Sequence, residues 1–222
     1  VRVSELSQRS GVSVASIKYY LREGLLASGT QTASNQAIYG EQHVSRLRLI
    51  RSLIDIGGLS ISKVRATLAA VDDGSTALHD AFGAVMHGLD DLPSEAESAD
   101  VATAYAEVQN WLSARGWNIE PDAPAPHRLA ELVATLRRFD FPVSLTDFDG
   151  TANFVQRTVD VEVQYARAMP DRTAAVETML IGTVVYERAF VEVRRLALEA
   201  ASFRADRAPR SSELDVHLPR RN

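Results

Sequence analysis

SGVSVASIKYYLREGLL, Ser10 to Leu26, places two different faces on one short helix. Ser13 suits an N-cap, whose side-chain oxygen accepts an orphan amide proton of the first turn. Gly24 suits the left-handed position just past the helix end. Between them Val14, Ile17 and Leu21 recur at i, i+3, i+7 and make one apolar stripe. On the other side Ala15, Lys18, Tyr19 and Arg22 recur at i, i+3, i+4, i+7. A helix that buries one stripe and turns Lys, Tyr and Arg outward is suited to lie against polyphosphate. The second helix of a helix-turn-helix does so in the DNA major groove.

Neighbouring segments extend this reading. Val3-Ser4-Glu5-Leu6 predicts a first short helix capped by Ser4 and ending near Gly11. Beyond Gly24, the runs Leu25–Ser28 and Gln36–Tyr39 bracket a polar tip with Gly29 and Asn35, the pattern of a hairpin. Val44, Leu47, Ile50 and Ile54 then mark a longer amphipathic helix stopped by Gly57-Gly58. Ser60 is placed to cap another, with Ile61, Val64 and Leu68 inward. Helix-turn-helix, wing, helix, helix is the order of a winged module of about seventy residues.

Residues 3–71 resemble the DNA-binding domain of the MerR family of bacterial transcription regulators. The likeness rests on Glu5-Leu6, Gly11-Val12-Ser13, Ile17-Lys18-Tyr19-Tyr20, Arg22-Glu23-Gly24-Leu25-Leu26, Tyr39, Arg46-Leu47, Leu49-Ile50-Arg51 and Gly57 to Ser60. Many offsets agree without a gap over about a third of the chain. The family usually has Arg where Lys18 stands, and Lys keeps the charge without the planar fork. The family's wing usually carries an arginine near Gln31 and a Tyr-Arg pair where this chain has Gln36-Ala37. No cation stands between Glu23 and Glu41, so counterion release from the wing is expected to be small. The resemblance implies a dimer on a near-palindromic site in double-stranded promoter DNA, whose twist it alters so that RNA polymerase can engage. Ser13, Ser16, Lys18, Tyr19 and Arg22 are expected in the groove, with Ser16 and Tyr19 reaching bases. Arg46, Arg48 and Arg51 are expected at the phosphates, although Arg48 and Arg51 also suit surface ion pairs. Tyr20 and Tyr39 are expected to pack beneath the wing.

The charge distribution has the same division. The 222 residues carry a formal net charge of −5, which alone speaks against nucleic acid. Yet residues 1–71 hold 9 Lys+Arg against 4 Asp+Glu, and the remaining 151 hold 15 against 25. A basic head on an acidic body suits a duplex-binding module joined to a partner domain. The absence of cysteine rules out thiolate metal sites and disulfides within these residues. It also speaks against the metal- and redox-sensing branches of the resembled family. His43, His79, His87, His127 and His217 show no tight ligand spacing and read as surface residues, so no cofactor or metal is expected. No apolar run approaches a membrane span, and no signal-peptide pattern opens the chain, so a cytoplasmic protein without membrane contact is expected.

The predicted fold class is mainly α, a winged helix-turn-helix followed by an all-helical domain. The predicted division is 1–71 DNA-binding, 72–93 linker helix, 94–205 helical dimerisation and effector domain, and 206–222 a frayed tail. Leu78, Phe82, Val85, Met86 and Leu89 predict a helix over 75–92, ended by Leu92-Pro93. Ser94 and Glu97 suit a capping box for a helix carrying Val101, Tyr105, Val108 and Leu112, closed by Gly116. Glu120–Pro126 reads as loop. Leu129 to Phe139 predict another helix, and 151–169 and 173–204 two long ones divided by Pro170-Asp171. Family members usually pair through a long helix after the DNA-binding module. Here Pro93 shortens it, so C-terminal helices bearing Val176, Met179, Leu180, Val184, Phe190, Val191 and Leu198 are expected to supplement or replace that pairing. The last helix would span roughly 45 Å.

Twelve of the fifteen aromatic residues lie beyond residue 71. Most are expected in the core, and Trp111, Trp117 and Phe148 are candidates for a small-molecule effector pocket. Asp147 and Asp149 beside Gly150, and Glu187, Glu192 and Glu199 on the last helix, have no nucleophile elbow or phosphate loop beside them. An enzyme is not expected. The competing class is an architectural DNA-bending protein without ligand, distinguishable by a low specificity ratio.

Overall fold

The computed structural model describes residues 1–33, 36–89 and 98–207. The described residues up to 185 pack as one unit, and 186–207 belong to a second. The architecture is mainly α, a winged helix-turn-helix followed by helices, with a single two-stranded sheet among the described residues.

The first unit opens with α1 (Val3–Ser10) and α2 (Val14–Arg22). The cap of α1 is Arg2, with no side-chain cap bond, rather than Ser4. Gly11 closes α1 in the left-handed region at φ 70°. The hairpin β1 (Thr30–Ala33) and β2 (Gln36–Ile38) pairs antiparallel, Thr30 opposite Ile38 and Gln31 opposite Ala37. Leu25 and Leu26 precede the wing instead of belonging to it. Both are buried, because two adjacent leucines gain more from the core than from a solvated ribbon. Asn35 lies outside the described residues.

Helix α3 (Glu41–Arg51) runs into a π-helical turn, Ser52–Ile56, and α4 (Ile61–Asp72) follows, its first turn capped by Ser60 Oγ accepting from the Lys63 amide at 3.3 Å. The extra residue of a π turn carries Ile54 away from the strict stripe of α3, leaving Leu53 fully buried instead. Two cores result. Leu6, Val12, Ile17, Leu26, Tyr39, Val44 and Leu47 cluster under α2 and the wing. Leu25, Leu49, Ile50, Leu53, Val64, Leu68 and Val71 form the base of a second cluster.

That second cluster is completed from far along the chain. Helix α5 (Leu78–Leu89) contributes Phe82 and Val85, α8 (Asp149–Arg167) Ala166, and the start of α9 (Arg172–Arg207) Val176, Met179, Leu180 and Val184. Gly57 marks a close approach. A Cβ there would stand 2.6 Å from the Leu53 carbonyl oxygen and 3.2 Å from Val184 Cγ1. Arg172 adds a strap, donating to the Thr76 carbonyl at 3.3 Å and to Thr76 Oγ1 at 2.8 Å. Residues 1–71 are thus not sealed off from the later helices. They share a core with α5, α8 and α9.

Between α5 and α8 lies a smaller helical pair, α6 (Ala99–Ala114) and α7 (Ala125–Arg138), with a 3-10 turn Leu145–Phe148. Val101, Ala104, Val108, Leu112, Ala130, Val133 and Leu145 form its core. Ser98 caps α6, its Oγ accepting from the Val101 amide at 3.4 Å. The expected Ser94/Glu97 box, Leu92-Pro93 and the tail from 208 lie outside the described residues. Helix α7 begins inside the segment read as loop, with Pro126 in its first turn. Proline is tolerated there because an N-terminal amide has no intrahelical acceptor to lose. Among the described residues, no helix is long and apolar enough to cross a membrane.

In the second unit, 186–207 continue as helix and the side chains at Tyr186, Val193, Leu196 and Phe203 are exposed.

Candidate nucleic-acid interface

The recognition face starts at its cap. Ser13 is extended at ψ 148° and its Oγ accepts the Ser16 amide proton at 3.0 Å. The two hydroxyls, Ser13 and Ser16, also lie 2.8 Å apart. Because the cap fixes where α2 begins, Ser13→Ala is expected to cost about 1 kcal/mol of stability. Chemical denaturation checks it, and a loss below a few tenths would mean that the cap is not holding the helix.

Ile17 is fully buried beneath α2, while Ala15, Lys18 and Arg22 are exposed. Tyr19 is half-buried. Its ring stands edge-on to Tyr20 at 5.9 Å, and the Arg22 guanidinium lies 5.1 Å from its centroid. That cation–π contact aligns Arg22 along the helix surface. Glu23 lies 3.7 Å from Arg22 Nε, but its other oxygen accepts from Arg65 at 2.7 Å, which draws the acid towards α4. Gly24, at φ 71°, turns the chain away so that the outer face ends at Arg22. Tyr39 is buried under the wing and Tyr20 packs against both cores, where burial pushes its phenol pKa up.

The wing carries no cation among its described residues, yet a charge stands beside it. Arg2, Lys18, Gln31, Gln36 and Tyr39 line one cleft between α2 and the hairpin. The Tyr39 amide donates to the Val1 carbonyl at 2.8 Å, which ties the residue next to Arg2 to the end of the wing. Sequence spacing does not reveal Arg2, because it lies outside the helix-turn-helix pattern. Only the fold carries it to the wing.

The three arginines of α3 divide. Arg46 is largely buried, donating to Asp72 at 2.5 Å and to the Leu25 carbonyl at 3.3 Å, with Glu177 Oε1 at 3.8 Å. It braces α3 to α4 and α9 instead of presenting a free charge, which corrects the expectation of a phosphate contact. Arg48 is exposed and donates to the Arg9 carbonyl at 3.1 Å. Arg51 donates to Asp55 at 2.9 Å and to the Gly11 carbonyl at 3.0 Å, the surface pairing that its spacing allowed. His43 also departs from expectation. It is buried, its Nδ1 accepts the Gly40 amide at 3.0 Å, and its ring stands edge-on to Tyr39 at 5.2 Å.

The candidate effector triad packs against the core of α6 and α7. Trp111 and Trp117 meet edge-on at 5.7 Å, and the Arg115 guanidinium fills the space 5.1 Å from each centroid. Asp149 accepts from Trp111 Nε1 at 2.8 Å and from Arg115 at 3.0 Å, so its carboxylate is engaged in joining α6 to α8. Phe148 packs at the edge of that core. A separate open cleft takes Trp117 with Tyr105, Gln109, Asn118 and Glu120, and leaves Trp111 and Phe148 outside.

A capped, cation-bearing helix held above its own core, with a wing alongside, defines a helix-turn-helix DNA-binding protein. Residues 1–71 match the family model of the MerR HTH family regulatory proteins, and in this domain the chain belongs to the MerR family. It is 29% identical over 131 residues to the HTH-type transcriptional regulator HmrR of Sinorhizobium medicae (strain WSM419), covering 59% of this chain and 87% of that one. It is 26% identical over 96 residues to the mercuric resistance operon regulatory protein of Bacillus cereus, 43% of this chain and 72% of that one. The crystal structure of SCO5550 from Streptomyces coelicolor A3(2), a proposed transcriptional regulator, superposes with a TM-score of 0.74 at 34% identity. That match covers 92% of this chain and 97% of the other. The chain is a MerR-type, DNA-binding transcription regulator.

Proposed function

We propose that this regulator binds a near-palindromic promoter site as a homodimer, with α2 of each copy in the major groove. The observation that carries the proposal is the outward set Ser16, Lys18, Tyr19 and Arg22 beside a cleft holding Arg2. Tyr19 and Ser16 reach base edges, while Lys18, Arg22 and Arg48 meet phosphates, with Ser13 setting the helix start. Arg2 supplies beside the wing the charge that the wing itself lacks. Arg51 acts mainly through its hold on Gly11, at the turn between α1 and α2. A two-fold site calls for two heads related by a two-fold axis. The protein works in the cytoplasm, on DNA also engaged by RNA polymerase, and performs no catalysis. An effector reaching the helical part after residue 98 alters the heads through the core shared by α3, α4 and α9. With no cysteine in these 222 residues, that effector is a small organic molecule and not a thiolate-bound metal.

Footprinting on DNA upstream of its own gene, followed by anisotropy titrations at several salt concentrations, tests the reading. Lys18→Ala is expected to weaken binding about 10- to 100-fold on every sequence, the value of a charge-assisted contact. It should also flatten the salt slope by about one unit. Arg2→Ala should flatten it by about another unit. Unchanged affinity and slope in both variants would remove α2 and its cleft from the interface. Equal affinity for all duplexes by the wild-type chain would favour an architectural protein instead.

A further inference from the structure

The brace at Arg46 fills only part of the space it stands in. A cleft of about 540 Å³ opens beside it, bounded by the segment from α2 to the wing, by α3, by the end of α4 and by the first turns of α9. Leu25, Leu26 and Ala27 give it an apolar side, and Arg46, Asp72 and Glu177 a charged one. Small-molecule sites have this size and this mixture. The polar groups are unevenly matched. Arg46 donates to Asp72 at 2.5 Å, but its Nη1 lies 3.8 Å from Glu177 Oε1, past hydrogen-bond reach. Asp171, just before α9, adds a further negative charge near Glu177, while the neighbouring Arg172 is turned to Thr76. On the α3 side His43 lines the same cleft and is 7% exposed. Its Nδ1 accepts from the Gly40 amide, which leaves the ring proton on Nε2. That buried nitrogen has no partner among the described residues.

We propose that this cleft binds a small organic cation that also carries a hydrogen-bond acceptor, of the amino-alcohol class, and that its occupancy lowers the affinity of the head for DNA. The ammonium stands between Asp72 and Glu177, where two lining carboxylates face one guanidinium. Its stem lies on Leu25, Leu26 and Ala27, and its oxygen accepts from His43 Nε2. An anion does not suit the same place, because the first amides of α9 already have a carboxylate. Asp171 accepts from the Ala174 amide at 2.9 Å. The ammonium competes with Arg46 for its two acids and so loosens the tie of α3 to α4 and α9. The occupant also touches Gly24 to Ser28, the connection between the recognition helix and β1. This inference rests on the effector reading above and adds a site and a ligand class.

Titration calorimetry of the full chain with aminohexanol, at neutral pH and fixed ionic strength, is the test. One molecule is expected to bind per chain, and hydroxyhexanoate, of the same length and opposite charge, is expected not to bind. Glu177→Gln should weaken aminohexanol binding about tenfold or more. Glu162→Gln, which removes the same charge from α8 away from the cleft, should leave it unchanged. Thr173→Phe, at an exposed position on the rim, should block binding by filling the cleft without removing a charge. Aminohexanol should also weaken operator binding by the wild type about fivefold or more, an ordinary coupling between sites. No binding of aminohexanol at millimolar concentration, equal binding of hydroxyhexanoate, or full affinity in both Glu177→Gln and Thr173→Phe would overturn the site. Binding that leaves operator affinity unchanged would overturn the link to DNA. A Thr173→Phe chain whose operator binding still responds to another small molecule would overturn this site as the effector's while leaving the effector reading intact.

Discussion

Leu180→Ala is expected to lower the unfolding free energy by about 3 kcal/mol and to weaken DNA binding without touching the interface. Leu180 is fully buried and lies in one cluster with Leu49, Ile50, Leu53, Val64, Leu68, Phe82 and Val85. Truncating a leucine in such surroundings removes its transfer free energy and leaves a cavity, because interlocked helices relax only in part. Two of those helices, α3 and α4, also support the head, so the loss should spread to the recognition helix. Urea denaturation gives the magnitude, and the midpoint should fall while the slope stays constant. A change below 1 kcal/mol would mean that α9 is only loosely held by this core. If DNA affinity survived a full loss, the head would stand independently of α9.

Removing Arg46 should have the second largest effect, about 2 kcal/mol for Arg46→Ala at neutral pH. Stripping the cation from a buried pair costs more than the pair contributed, because the carboxylates remain. The figure is reduced here because Asp72 is largely exposed. Burial already pushes the Glu177 carboxyl above the ordinary glutamate range, with Arg46 opposing and Asp72 and Asp171 adding to the rise. Without Arg46 the rise should grow. A group whose folded pKa is raised stabilises the fold below its unfolded pKa, and that contribution is lost as pH rises through the folded value. The penalty of Arg46→Ala should therefore be largest at neutral pH and shrink on acidification, as Glu177 takes up its proton. A pH-independent penalty would place the cost in the lost Leu25 carbonyl bond and in packing. Glu177→Gln added to Arg46→Ala separates the two, since it should restore stability at neutral pH and change little in acid.

The same bond geometry reassigns Arg46 from DNA contact to brace. Spacing along α3 could place Arg46, Arg48 and Arg51 on a helix, but not say what faced them. Asp72 and Glu177 lie 26 and 131 positions further along the chain, so no local pattern links them to Arg46. The effector candidates are likewise held by contacts that spacing does not show. Trp111, Trp117 and Phe148 read in sequence as aromatic surface for a ligand, whereas Arg115, four residues after Trp111, supplies the cation that fills the space. A cation one helical turn from a tryptophan was the available signal.

Within the head, much was legible. Ser13, Gly24 and the Val14, Ile17, Leu21 stripe set the start, stop and buried side of α2, because capping and amphipathic spacing are local properties of consecutive residues. The outward set Lys18, Tyr19 and Arg22 follows from the same helical period. The tertiary structure alone decided which charges stay available, carried Arg2 to the wing, and brought α9 back to α3 and α4 across more than a hundred residues. Local order is written in residues within a turn of one another. Partnership between distant residues depends on how whole faces pack, and the chain expresses that only once it is folded.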